Sequence, residues 1–376
     1  MIEFYILIFS VLVFGSRTLL FSAGSLKERM KKSSKKNSSI KPFVSVIVPA
    51  RNEEKVIENC IHSIYRNSYP KDRFEIIAVN DRSSDSTGAI LARLKYKYEN
   101  LKVININADN RNKNLMGKPG ALQAGIDNAQ GSILMMTDAD CTVTKAWIKN
   151  IVKAFNDPEV GFVAAFTYVK GRSLFHIIQS IEWVYMHTMG LAGIGLNNPL
   201  GCFGNNISIR KEVFHRLGGY EGIQFSVTED LALERAAFNA GYKVRYLCDP
   251  KTLVNTLPVD DLVAYIKQHH RWAVGGLDLG LRGFFFVFSS IAFWLGLLTT
   301  IFFFDYWVFL AFIGFRLLCD FSLIFPSLRS LKKQRLNIWI LPAVLFFMII
   351  EIVVPFLLME RDITWKGQVF RRAKGR

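Results

Sequence analysis

Four long apolar runs, at 1–21, 284–304, 306–325 and 338–359, limit what this chain can fold into more than any other feature. Each approaches the roughly 20 residues a helix needs to cross the hydrocarbon core of a bilayer. Between the first two runs lies a stretch, 41–265, of ordinary globular composition. The 376-residue chain is 51% hydrophobic because its apolar residues are concentrated at the two ends, so the expectation is a globular domain carried on transmembrane helices.

The net charge of +16 could suggest a nucleic-acid partner, but the basic residues follow the apolar runs. Lys27, Arg29, Lys31, Lys32, Lys35 and Lys36 come after the first, and Arg329, Lys332, Lys333 and Arg335 precede the last. This is a membrane pattern. With no RNP-type aromatic strand, helix-turn-helix or zinc-finger spacing, it argues against nucleic acid. The first run has no basic segment ahead of it and no small-residue cleavage site, so it reads as an uncleaved anchor. Positive-inside then puts the N-terminus outside and the globular stretch in the cytoplasm, in a bacterial or archaeal plasma membrane. Arg17, near the inner end of that run, is expected to snorkel toward water. Five cysteines (Cys60, Cys141, Cys202, Cys248, Cys319) are odd in number and lack a C-x-x-C, which implies a reducing compartment without a disulfide framework or zinc site.

The pattern divides the chain into an N-terminal transmembrane helix (1–22), a basic linker (23–40), a globular domain (41–257), a segment of interfacial helices (258–283), a membrane region of about three spans (284–361) and a basic amphipathic tail (362–376). Positive-inside conflicts with a basic tail left outside, unless Pro342, Glu351 and Pro355 break the last run into a re-entrant hairpin. Arg316 and Asp320, four apart in one span, and Glu351 in the next either neutralise one another or line a path for a headgroup.

From Lys41, apolar strands at 44–48, 74–79, 103–106, 133–136 and 160–166 alternate with helical segments at 53–66, 85–96, 117–129 and 144–155. That alternation predicts an α/β fold, a mostly parallel sheet with helices on both faces, and in such sheets ligands bind beyond the carboxyl ends of the strands. Strand 133–136 runs into Thr137-Asp138-Ala139-Asp140. In an extended segment the two carboxylates share a face and can hold one hard cation, or they simply solvate a loop. The first strand leaves through Pro49-Ala50-Arg51-Asn52-Glu53-Glu54, without the G-x-G-x-x-G of dinucleotide folds, and no phosphate-binding G-x-x-x-x-G-K-[ST] occurs elsewhere. The second leaves through Asn80-Asp81-Arg82-Ser83-Ser84-Asp85, where Ser84 or Asp85 suits a helix cap and Asp81 does not.

Lys118 opens a helix within Gly117-Lys118-Pro119-Gly120, either near a phosphate or simply on the surface. Residues 173–196 read as a core helix or, slightly better, as one lying at the membrane interface, where Trp183 and Tyr185 would sit at headgroup depth. Thr228-Glu229-Asp230 suits a helix N-terminus or a catalytic acid equally. Gln268-His269-His270-Arg271-Trp272 lies on a helix. Its adjacent histidines point about 100° apart and read as spacers, not as ligands of one metal.

Taken in order, these motifs resemble family 2 glycosyltransferases of the GT-A fold, the group of cellulose, chitin and hyaluronan synthases and ceramide glucosyltransferases. The resemblance spans about residues 40–275 and rests on Val44 to Glu54, Asp81, Asp138-Ala139-Asp140, Thr228-Glu229-Asp230 and the Q-x-x-R-W set of Gln268, Arg271 and Trp272. It implies that Pro49, Ala50, Arg51, Glu53 and Asp81 line the base and ribose of a nucleotide-sugar donor, with Lys118 on the nucleotide side. Asp138 then contacts the donor, Asp140 (with Asp138 a second candidate) holds a divalent metal, Mg2+ or Mn2+, and Asp230 is the general base. Gln268, Arg271 and Trp272 hold the diphosphate, while Phe203, Gly204, Asn205, Glu229 and Trp272 face the acceptor.

The chemistry asks for the same residue types: a cation and an Arg for the departing diphosphate, and one carboxylate base for an inverting attack by the acceptor hydroxyl. A Ser/His/Asp hydrolase lacks its G-x-S-x-G. Four apolar runs are few for a polymer channel, so the acceptor is expected to be a membrane lipid; the resemblance implies a nucleotide-diphosphate sugar, expected to be a UDP-sugar, as donor. A processive polysaccharide synthase is the runner-up, and a silent GT-A scaffold the reading from another class. Polyprenyl-phosphate mannosyltransferases match less well, lacking the T-E-D and Q-x-x-R-W pair.

Overall fold

The computed structural model describes residues 1–31, 41–108, 112–360, 362–365 and 368–371. It begins with helix α1 (Ile2–Met30), followed by β1 (Val44–Ala50), α2 (Ile57–Tyr65), β2 (Phe74–Asp81), α3 (Thr87–Lys97), β3 (Leu101–Ile106), α4 (Lys118–Asp127) and β4 (Ile133–Met136). Then come β5 (Thr142–Val143), α5 (Trp147–Val152), β6 (Val160–Ala165), β7 (Thr167–Val169), α6 (Leu174–Gly195), β8 (Ile207–Arg210), α7 (Lys211–Arg216), α8 (Gly219–Gly222) and α9 (Glu229–Asn239). The chain continues through β9 (Lys243–Leu247), β10 (Val254–Thr256), α10 (Leu262–Gly276), α11 (Leu281–Phe303), α12 (Tyr306–Ser330), α13 (Ile340–Leu357), β11 (Asp362–Trp365) and β12 (Gln368–Arg371). These elements form two compact units, one of Lys31–Gly171 with Gly201–Pro258, the other of Met1–Met30, Arg172–Leu200 and Val259–Arg376.

The first unit is built on a seven-stranded sheet of order β3-β2-β1-β4-β8-β6-β9. Strands β1, β2, β3 and β4 run parallel, as do β6 and β9, while β8 runs antiparallel to both β4 and β6. The central strands are apolar on both faces because both faces are covered. Val44, Val46 and Val48 of β1 join a core with Ile57, Ile61 and Ile64 of α2 and Leu91 and Leu94 of α3. Toward the opposite face, Gly125 of α4 lies so close to Ile47 and Val79 that a Cβ there would clash with both side chains. A small sheet of order β5-β10-β7 stands beside the main one.

Among the described residues, the second unit contains four helices long and apolar enough to cross a membrane, within Ile2–Met30, Leu281–Phe303, Tyr306–Ser330 and Gln334–Leu357. Helix α13 passes through Pro342 and Pro355 unbroken. Pro342 sits in the first turn, where its missing N–H would have no intrahelical partner, and Pro355 in the last, where it removes one i→i−4 bond close to the helix end. Helix α6 belongs to this unit and is buried along most of its length, Trp183 included, so of the two sequence readings the core helix holds. Close packing against α1 requires small residues: a Cβ on Gly195 would run into the Gly24 carbonyl.

Arg17 does not snorkel. It is buried, its Nη2 donating to the Tyr185 hydroxyl and lying 3.8 Å from Asp320 Oδ1. Arg316 binds Asp320 through Nε at 2.6 Å and Glu351 through Nη2 at 2.7 Å and Nη1 at 3.2 Å. Two guanidiniums and two carboxylates therefore neutralise one another inside the helices, which costs less than bringing any one of them alone to that depth. Residues 366–367 and 372–376 of the basic tail lie outside the described residues; β11 and β12 pair as an antiparallel hairpin.

Candidate active site

The carboxyl ends of β1, β2 and β4 lie side by side, and the acidic residues of the sequence motifs leave the sheet there. The exits from β1 and β2 both turn through a left-handed residue, Asn52 (φ 56°) after β1 and Arg82 (φ 53°) after β2. An arginine in that region costs about 1–2 kcal/mol, which the surrounding bonds must offset. They are numerous. Asn52 N–H donates to Ser83 Oγ (3.1 Å), Glu53 N–H to Thr87 Oγ1 (2.8 Å), Glu54 N–H to Asp85 Oδ2 (3.1 Å), and Ser84 N–H to Asn52 Oδ1 (2.8 Å). The β1 and β2 loops are thereby tied together, with Arg51 and Glu53 between them. Asp85 takes the Thr87 N–H at 3.0 Å, one residue ahead of Ser86, the N-cap of α3. Asp81 is buried and held by Arg82 Nε (2.7 Å) and Nη2 (3.2 Å), a partner the sequence reading missed although it is the next residue.

Asp138 and Asp140 lie past the end of β4, in a turn closed by Cys141 N–H donating to the Asp138 carbonyl at 3.1 Å. The expectation that they share one strand face fails, because the i, i+2 rule requires extended backbone and this segment is folded back. Their carboxylates have different neighbours. Asp138 Oδ1 lies 2.7 Å from Lys118 Nζ. Asp140 accepts from Thr256 Oγ1 (3.2 Å) on β10 and Cys141 Sγ (3.3 Å). Nothing in the sequence singles out Thr256.

Lys118, in the first turn of α4, also reaches Glu229 Oε1 at 2.9 Å, joining the Asp138 turn to the start of α9. Burial works against its charge, but Asp138 and Glu229 outweigh burial and hold the ammonium well above its usual range. Asp230 lies beside Glu229. Its Oδ2 accepts from Gly204 N–H (2.6 Å) and its Oδ1 from Leu231 N–H (2.8 Å), so the carboxylate is fixed at both oxygens. Burial, then the charge of Glu229, push its pKa up to about 6, against the pull of Lys118 and the two N–H groups. Gly204 allows this closeness: a Cβ there would lie 3.0 Å from Glu229 Oε1, 3.1 Å from Lys118 Nζ and 3.3 Å from Asp230 Oδ2. Thr228 begins α9 without a side-chain cap bond, so capping does not account for that motif.

The structure thus brings together Lys118, Asp138, Gly204, Glu229 and Asp230, with Asp140 one turn of backbone away. Asn205 turns inward, its Oδ1 accepting from Thr167 Oγ1 at 2.8 Å. Gln268, Arg271 and Trp272 are on α10, in the other unit, where Trp272 stands edge-on to Trp183 with ring centroids 5.6 Å apart.

For a divalent ion the residues present offer hard oxygen donors. Cys60 and Cys141 lie near the two aspartates, and burial, reinforced by the Asp140 and Asp138 charges, keeps both as thiols. Among the described residues no group of three or more His, Cys, Asp or Glu side chains is arranged to hold a metal by itself. Two carboxylates at an open turn fit an ion that takes the rest of its shell from phosphates and water, the usual habit of magnesium.

A profile of glycosyl transferase family 2 matches residues 45–231. The chain is 31% identical to the probable glycosyltransferase YdaM of Bacillus subtilis over 245 residues, 64% of this chain and 57% of that protein. It is 29% identical to the beta-monoglucosyldiacylglycerol synthase of Trichormus variabilis over 279 residues, 71% and 56% of the two chains. A poly-beta-1,6-N-acetyl-D-glucosamine synthase of Staphylococcus aureus also matches at 29%. The chain spans a little over half the length of these curated relatives. The solved structure of a mannosyltransferase, PcManGT from Pyrobaculum calidifontis, in complex with GDP-Man and Mn2+, shares the fold with a TM-score of 0.62 at 18% identity, covering 92% of this chain and 99% of that one.

Proposed function

The chain belongs to the family 2 glycosyltransferases, and on that premise we propose that it transfers a sugar, with inversion, from a nucleotide-diphosphate donor, a UDP-sugar, to a membrane lipid. The observation that carries the proposal is Asp230, a carboxylate with both oxygens fixed and a pKa near 6, seated in one cluster with Lys118, Asp138 and Glu229.

In this reading the acceptor hydroxyl gives its proton to Asp230 as its oxygen bonds to the anomeric carbon, and the bond from that carbon to the diphosphate breaks. A base near pKa 6 is largely ionised at neutral pH and still strong enough to take the proton. Asp140, with Asp138, would hold Mg2+ or Mn2+, which when bound supplies Lewis-acid stabilisation of the departing diphosphate. Lys118 adds fixed positive charge beside Asp138. Arg271, with Gln268 and Trp272, holds the diphosphate as a bidentate partner. Pro49, Ala50, Arg51, Glu53 and Asp81 line the nucleoside, and Phe203, Gly204, Asn205 and Glu229 border the acceptor.

Four candidate membrane helices, few for an aqueous polymer path, and a relative named for glucosyldiacylglycerol synthesis both support the lipid. The test is to incubate the full-length protein in detergent with radiolabelled UDP-sugars, GDP-mannose as a comparison donor, Mn2+ and a lipid extract. Labelled product in the organic phase supports the reading. Insoluble high-mass product would turn it toward a polysaccharide, and absence of both transfer and donor hydrolysis with every donor would refute it.

A further inference from the structure

His269 sits inside the Gln268–Trp272 motif, where spacing alone makes it a filler. Its surroundings are more specific. Nδ1 lies 2.9 Å from the Tyr265 carbonyl, and Nε2 lies 2.8 Å from Glu182 Oε1 on α6. The same Glu182 oxygen accepts from the Tyr265 hydroxyl at 2.7 Å. Against an ionised Glu182 both partners only accept, so both ring nitrogens donate and the ring is imidazolium. The carboxylate requires the same charge state, because Glu182 is buried and its Oε2 has no hydrogen-bond partner among the described residues; a buried carboxylate in that condition needs a cation against it. Trp272 closes the other side of the ring, centroids 5.0 Å apart, and Phe346 of α13 packs on Tyr265 at 5.6 Å. Among the described residues, the charged group in hydrogen-bond contact with the imidazole is Glu182. Elsewhere on α6, the buried His187 is pushed down to about 3 by desolvation.

We propose that His269 is a positioning residue: as the cation of a buried pair with Glu182, it locks to α6 the turn of α10 that presents Gln268, Arg271 and Trp272 to the donor diphosphate. This rests on the donor role given above to those three residues. Residues 268, 271 and 272 lie within one turn on either side of position 269, so the pair fixes the rotation of α10 about its axis at that turn. Because burial pulls the His269 pKa down while Glu182 raises it further, it stands above its usual value. The clamp is complete at low pH and is lost as pH rises through that raised pKa.

The experiment measures the Kd for UDP, or for GDP if that is the nucleotide the protein binds, with Mn2+, by calorimetry on full-length protein in detergent. Wild type, Arg271→Ala, His269→Asn, Glu182→Gln and Tyr265→Phe are compared across pH, with Tm recorded for each. Arg271→Ala weakens binding if the motif touches the donor; an unchanged Kd there removes the reading beneath the proposal. Given that loss, His269→Asn and Glu182→Gln are expected to weaken binding about 10- to 100-fold, the range typical when a partner that orients a binding group is removed. The wild-type loss of affinity at high pH should be absent in His269→Asn. An unchanged Kd and pH profile in His269→Asn, with only Tm lowered, would overturn the proposal and leave a structural pair. Should those two variants fail to fold, Tyr265→Phe decides: freeing the Glu182 oxygen strengthens its hold on the imidazolium and moves the alkaline loss to higher pH, and an unmoved limb refutes the clamp.

Discussion

At Asp230 burial and Glu229 oppose Lys118 and two backbone N–H groups, and the balance leaves a carboxylate titrating near 6. A base works when ionised, so transfer should rise with pH through about 6 and level off above it. Lys118 pulls that pKa down; Lys118→Met should therefore shift the rising limb to more alkaline pH, measurable in a kcat–pH profile. Asp230→Asn should lower kcat by about 10²–10⁴-fold, the usual worth of a general base, while the Kd for the nucleotide with Mn2+ stays as in wild type; equal loss of nucleotide binding would assign Asp230 to the donor. At this scale the sequence was informative about residue type and poor about direction. Asp138, Asp140, Asp230 and Lys118 stand out by their motifs, but the division of the two aspartates, one facing Lys118 and the other Thr256, depends on a turn at 138–141 that no local signal announces. Thr256 was missed for the same reason, since only the fold brings it to Asp140; Arg82 was missed although it directly follows its partner Asp81.

Alternating apolar strands and helices were legible as elements because period and length mark them, and strand 133–136 falls at the expected position. Strand direction is another matter. Strand β8 is inserted antiparallel between β4 and β6, and pairing partners that far apart in sequence leave no trace in local pattern. Helix α6 shows the limit most clearly: Trp, Tyr and apolar residues on all sides fit an interfacial helix and a buried one equally, and only its packing against α1 and α12 decides. The Gly24–Gly195 contact gives that packing a test. Gly195→Ala places a methyl group against the Gly24 carbonyl, where backbone cannot yield without separating α1 from α6. Overpacking of this kind costs about 1–3 kcal/mol, seen as a lower Tm in detergent. Gly314→Ala on α12, with nothing within 4 Å of the new methyl, should be neutral or gain up to about 1 kcal/mol from helix propensity.

Across the whole molecule, the two kinds of composition in the sequence became two compact units, the acidic cluster in one and the four apolar helices in the other. The second carries its own charges. Arg17, Arg316, Asp320 and Glu351 come from three helices, and their sum is zero. If they serve only to neutralise one another, the cost of disturbing them should depend on symmetry. Arg316→Met alone strands Asp320 and Glu351 and should cost about 3–5 kcal/mol, the price of a buried pair broken on one side. Replacing all four together, Arg17→Met, Arg316→Met, Asp320→Leu and Glu351→Leu, leaves no charge uncompensated and should recover most of that loss, because apolar residues of similar volume commonly substitute for buried ion pairs without penalty. Measuring both Tm and product in the lipid phase separates packing from function. A fourfold variant as stable and as active as wild type makes the network a device of assembly. One that is stable and still hydrolyses donor, yet no longer labels lipid, would show that these charges meet the acceptor, since a residue needed only for packing cannot fail selectively at the step where the lipid enters.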